Sequence, residues 1–86
     1  MQFEWDPEKD RQNQRKHGVK FKDAVEVFRD EFRIEELDDR KDYGEDRLRV
    51  LGLAQLDSLV VVVTERWDDV FRLISARRAT PLEAAR

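Results

Sequence analysis

Six arginines carry most of the chemistry this chain could do: Arg47, Arg49, Arg66, Arg72, Arg77 and Arg78. They fall on or beside three apolar segments of the C-terminal half, and Arg77-Arg78 follow the run Arg72-Leu73-Ile74-Ser75-Ala76 directly. A guanidinium is planar, always charged, and can grip a phosphate with two parallel hydrogen bonds. Guanidiniums held at one edge of a small domain therefore suit a phosphate-bearing partner. The same side chains could instead pair with Glu45, Glu65, Asp68 or Asp69 as surface ion pairs worth little each, and the pattern leaves both readings open. Strand parity adds a condition. Arg47 and Arg49 share a face, as do Arg72 and Arg78, whereas Arg77 has the opposite parity; all converge only if the strand twists or bulges near Ala76.

Other chemistries find less support. His17 is the only histidine and there is no cysteine, so a Cys-ligated zinc site is excluded. The acidic residues show no calcium-loop spacing, and no metal or cofactor is expected. Ser58 and Ser75 are the only serines, and neither sits in a nucleophile-elbow motif. Three isolated glycines cannot form a phosphate-binding loop. Trp5 and Trp67 could stack on bases, but aromatic residues in a small domain more often serve the core or an interface.

With 86 residues, one domain spanning 1–86 is expected, with a compact core. The net charge is −3, so bulk charge does not point to a polyanionic partner; its distribution is more telling. Residues 1–46 hold ten Lys/Arg against fifteen Asp/Glu, whereas residues 47–86 hold seven arginines against five acids, with every lysine in the first half. The start of the chain has no signal-peptide pattern. The longest apolar run, Leu59-Val60-Val61-Val62-Val63, falls far short of the roughly 20 residues that span a bilayer. A cytoplasmic protein without a membrane partner is expected.

The elements that must position these residues can be read from caps and periodicity. Residues 2–5 alternate polar and aromatic, as a short strand does. Asp6-Pro7 starts a helix that runs to Lys16 or His17 and stops at Gly18. That helix has almost no apolar residues, so it is a solvated connector or a surface for a partner. Phe21, Ala24, Val25, Val27 and Phe28 mark one face of a second helix, and Phe32 to Leu37 alternate as a strand. A charged loop at 38–46 turns at Gly44. Strands follow at 47–55, 59–66 and 70–76 with hairpin-length connectors, the valine run being two-sided and hence central. Thr80-Pro81-Leu82-Glu83 is a capping box opening a last helix. The order β-α-α-β-β-β-β-α predicts an α+β fold: an antiparallel four- to five-stranded sheet with helices packed on one face.

Together these residues resemble the BrnT toxin family of bacterial toxin–antitoxin pairs. The resemblance rests on Phe3-Glu4-Trp5-Asp6, Lys9, Asn13, Lys16-His17-Gly18-Val19, Phe21, Ala24, Val27-Phe28 and Asp30. It continues through Gly44-Glu45, Arg47, Gly52, Val61-Val62-Val63-Thr64-Glu65-Arg66, and Arg72 through Thr80 with Glu83. After Thr80 the chain departs from the family pattern, which usually carries further charged residues and a tyrosine.

The resemblance implies a RelE-like fold and a ribonuclease that arrests growth until a BrnA-like antitoxin neutralises it. It further implies that the complex represses its own operon, that operator DNA is contacted only through the antitoxin, and that toxins pair as dimers within the complex. Metal-free RNA cleavage needs a base for the 2′-OH, an acid for the leaving oxygen, and cations for the charge on the phosphorane. Carried over by position, the expected catalytic set is Arg66 and Arg77 with Glu45, Glu65 and His17 as acid–base candidates. Lys9, Arg47, Arg72 and Arg78 are the expected phosphate binders. His17 also suits a plainer role, satisfying the last carbonyls of its helix. The alternative is a non-catalytic module of the same fold, either a ParE-like poison of a cellular machine or an inactive partner that only holds an antitoxin.

Overall fold

The computed structural model describes residues 1–38 and 44–86. Its elements are β1 (Gln2–Glu4), α1 (Pro7–His17), α2 (Phe21–Ala24), a 3-10 turn (Val25–Arg29), β2 (Ile34–Leu37), β3 (Leu48–Ala54), β4 (Asp57–Trp67), β5 (Val70–Arg78) and α3 (Pro81–Ala84). The expected order of elements is found, in a five-stranded sheet ordered β1-β5-β4-β3-β2. All pairings are antiparallel except β1 on β5. The centre of the expected loop at 38–46 lies outside the described residues.

Local chemistry accounts for the element ends. The Asp6 side chain accepts from Glu8 N–H with Pro7 in the first turn, and Gly18 closes α1 at φ 71, where a Cβ would be strained. Thr80 and Glu83 cap α3 reciprocally. The second helix is shorter than its periodicity suggests: after Ala24 the chain tightens into the 3-10 turn, with Val25 only partly buried. Phe32, expected at the head of a strand, sits in a turn and is 84% exposed; β2 begins at Ile34. The β3–β4 and β4–β5 connections are two-residue turns, and Gln55 and Asp69 each take φ 58 within or beside them.

The core lies between the sheet and the segment from α1 to the 3-10 turn. Phe21, Ala24 and Val27 meet Val50, Ala54, Leu59, Val61, Val63, Leu73 and Ala76, all buried. Trp5 meets Phe21 edge-on at 6.0 Å, and Phe3 stacks between Phe28 and Phe71. Gly52 is required for close approach: a Cβ there would stand 2.9 Å from Val27 Cγ1. The opposite face of the sheet is not left wholly to solvent. α3 lies against it, with Arg77 holding Glu83 and Arg86 reaching Glu36, and Val60 and Val62 are buried. The central position of β4 thus explains its two-sided valine run.

α1 is as polar as expected. Asn13 is its only buried residue. Its side chain behaves like one residue of a neighbouring strand: Nδ2 donates to Ala76 C=O at 2.8 Å and to Val19 C=O at 2.9 Å, while Ala76 N–H donates to Oδ1 at 3.1 Å. β1 pairs only with residues 70–72 of β5, so this amide satisfies the edge further along.

Candidate active site

Two bulges decide where the arginines point. On β5, Ser75 pairs with Val62 and Leu73 with Val63, so Ile74 is an extra residue. This bulge puts Leu73 and Ala76 both into the core and turns Arg72 and Arg77 to the opposite face despite their unlike parity. The bulge lies two residues before Ala76 and unites Arg72 with Arg77, but it parts Arg78 from Arg72, so the three do not converge. On β4, Glu65 pairs with Phe71 and Trp67 with Val70, leaving Arg66 as the extra residue of a second bulge. Bulges of this kind re-aim a side chain.

Arg66 and Arg72 converge on Glu4. Phe3 faces the core, so its neighbour Glu4 faces the other side, beside its register partner Arg72. Glu4 Oε1 lies 3.6 Å from Arg72 Nε and 3.9 Å from Arg66 Nε. These are ion-pair distances longer than hydrogen bonds, and both Glu4 Oε1 and Arg72 Nε are buried with no hydrogen-bond partner. The Arg66 guanidinium also sits 5.9 Å from the ring centre of Trp67, which is 59% exposed.

Arg66 borders an open groove of about 590 Å³, lined also by Leu37, Glu45, Asp46, Leu48, Thr64 and Glu65. The buried Thr64 hydroxyl donates to Asp46 C=O at 2.8 Å, fixing one wall to β4. Asp38 N–H donates to Arg47 C=O at 2.7 Å. Arg47 pairs with Glu45 at 3.3 Å.

The other expected residues lie elsewhere. Arg77 is on the same face as Arg72 but forms a bidentate pair with Glu83, at 2.8 and 2.9 Å. Its register partner Val60 is six residues from Arg66 on β4, about 20 Å at ordinary strand rise. Hydrogen bonds from Arg77, then from Thr80 N–H, push the Glu83 carboxyl down to about 2. Lys9 and His17 line a separate groove between α1 and β5. Arg78 is 3.8 Å from Asp57, and its Nη1 lies 3.8 Å from where a Cβ on Gly18 would stand. The expected set is therefore divided in three: Arg66, Glu65 and Glu45, with Arg47 and Arg72 beside them; Arg77 beneath α3; and Lys9 and His17 along α1, with Arg78 near its C-terminal end.

Glu4 was not among the expected site residues. Apart from its place in the family resemblance its signal was alternation with Phe3, and the β1–β5 register is needed to place it beside Arg72. Among the described residues no group of three or more His, Cys, Asp or Glu could hold a metal ion. No described helix is long and apolar enough to cross a membrane.

A family model described as "Ribonuclease toxin, BrnT, of type II toxin-antitoxin system" matches residues 5–83. The fold is similar to the 1.1 Å crystal structure of the Brucella abortus ribonuclease toxin BrnT. The TM-score is 0.72 and the identity 28%, over 93% of this chain and 97% of that one. No curated protein matches the sequence.

Proposed function

The chain belongs to the BrnT family of ribonuclease toxins of type II toxin–antitoxin systems, and from that premise we propose that it cleaves RNA without a metal at the Arg66 groove. The observation that carries this reading is the Glu4–Arg66–Arg72 set. Two guanidiniums are gathered around one carboxylate, at ion-pair distances that leave Glu4 Oε1 and Arg72 Nε without hydrogen bonds. Both arginine side chains are otherwise about two-fifths exposed, so a phosphate oxygen could accept hydrogen bonds from their exposed nitrogens while Glu4 holds the buried side. Their charge would then stabilise the phosphorane as it forms.

In this reading Glu65 and Glu45 provide the acid–base pair, since both line the groove with Arg66. One takes the 2′-OH proton and the other protonates the leaving oxygen. Arg47, beside Glu45, contacts a neighbouring phosphate. Glu4 is a positioning residue that holds the two guanidiniums in register before RNA binds. Arg77 secures α3, and His17 belongs to the α1 groove.

We further propose that the protein acts in the cytoplasm, that a BrnA-like antitoxin neutralises it, and that the pair forms a dimeric assembly repressing its own operon through the antitoxin's contact with operator DNA. The family's description as part of a type II system supports an antitoxin partner.

The test is RNA cleavage in EDTA by the parent, Arg66→Ala and Arg77→Ala proteins. Removing one preorganised charge donor costs roughly 100- to 1000-fold in rate, so Arg66→Ala should fall by that much while Arg77→Ala stays within a few-fold of the parent. Loss of activity in EDTA would overturn metal independence, and full activity of Arg66→Ala would overturn the site. Growth arrest with intact RNA would favour a non-catalytic poison instead.

A further inference from the structure

The arginines are not where this molecule keeps its uncompensated positive charge. Every arginine among the described residues lies within ion-pair distance of a carboxylate. No lysine among them does, nor does His17. Lys9, Lys16 and His17 line one groove of about 270 Å³ between α1 and β5, together with Gln12, Ile74 and Ser75. Lys9 and Lys16 are seven residues apart, so they stand on one helical face about 10 Å apart.

The acids of α1 are engaged elsewhere. Glu8 is held by Arg11 and Arg15, and Asp10 accepts from Phe21 N–H at 3.0 Å. Asn13 anchors the floor of the groove to the β5 edge through both of its amide atoms. Polar hydrogen-bonding groups and unpaired cations on a fixed floor suit a backbone of phosphates rather than an apolar ligand.

We propose that the α1–β5 groove binds the phosphate backbone of single-stranded RNA outside the cleavage site, with Lys9 and Lys16 on successive phosphates and Gln12 and Ser75 hydrogen-bonding the strand. This rests on the ribonuclease reading above and adds a second contact region to it. The polar helix, with too little apolar surface to serve the core, then has a use as a track for the strand.

The test is fluorescence anisotropy with a 2′-O-methyl oligonucleotide, which lacks the attacking hydroxyl and so reports binding alone. Lys9→Ala/Lys16→Ala is compared with the parent and with Lys20→Ala/Lys22→Ala, which removes equal charge away from the groove. Circular dichroism melts check the fold of each. Affinity for the groove variant should fall at least tenfold, and the salt slope should shrink by about 1.4, the single-strand value for two phosphate contacts. Unchanged binding, or an equal loss in the control variant, overturns the groove. Cleavage of the all-ribose oligonucleotide reports separately on the ribonuclease reading. A parent that cleaves while its groove variant binds normally loses the groove alone; a parent that neither binds nor cleaves loses both.

Discussion

Glu83 accepts two hydrogen bonds from Arg77 and one from Thr80 N–H, while its own N–H donates to Thr80 Oγ1. A four-residue helix has almost no cooperative stability of its own, so these contacts hold α3 against the sheet. They favour the charged carboxylate and lower its folded value to about 2, from an ordinary 4.5. The folded value lies below the unfolded one, so the stabilisation is complete above pH 4.5 and is lost as pH falls toward 2. Because the pair is partly exposed, solvent screening reduces its worth to about 1 kcal/mol. Glu83→Gln should therefore lower stability by about that amount at pH 7. In urea melts across pH 2–7, the gap between the two proteins should close at the acid end; a gap independent of pH would mean that the charge is not what holds α3.

Among the elements, β5 draws support from a side chain of another part of the chain. No strand among the described residues lies along its edge beyond Arg72, and the Asn13 amide answers Ala76 on both its N–H and its C=O. Asn13→Ala would bury these backbone groups without partners, at a cost of about 2–3 kcal/mol. Urea denaturation should show that loss, and a loss under 1 kcal/mol would mean that water replaces the amide. Much of this layer was legible beforehand: Asp6-Pro7, Gly18 and Thr80-Pro81 mark ends by local chemistry, and the valine run announces a central strand. The bulges at Ile74 and Arg66 were not legible, because neither carries a glycine or proline to mark it and each follows from how two strands register. The same holds for the turn residues Gln55 and Asp69, which take positive φ without being glycine. The candidate site was legible as residue types, since Arg66, Glu65 and Glu45 were expected and do line one groove. Its composition was not, because the approach of Glu4 and the removal of Arg77 to α3 depend on pairing across the sheet.

For the whole molecule, a net charge of −3 does not oppose the proposed RNA substrate, because the charges are sorted. The arginines of the sheet carry their counterions as part of the fold: Glu4 for Arg66 and Arg72, Glu45 for Arg47. When a phosphate replaces such a carboxylate, the cation shed by the RNA is matched by one taken up by the freed carboxylate, so there is no net release. Of the proposed RNA contacts, only Lys9 and Lys16 lack carboxylate partners, so only they would displace counterions condensed on the RNA without any compensating uptake. Salt dependence should therefore count the lysines and not the arginines. For single strands the slope of log affinity against log salt is about −0.7 per phosphate neutralised. Two lysines give about −1.4, whereas adding Arg47, Arg66 and Arg72 would give about −3.5. Titration of the 2′-O-methyl oligonucleotide at several potassium chloride concentrations distinguishes the two. A slope shallower than about −2 is expected from internal neutralisation, and one steeper than about −3 would show that the arginines shed their carboxylates and meet RNA as unpaired cations.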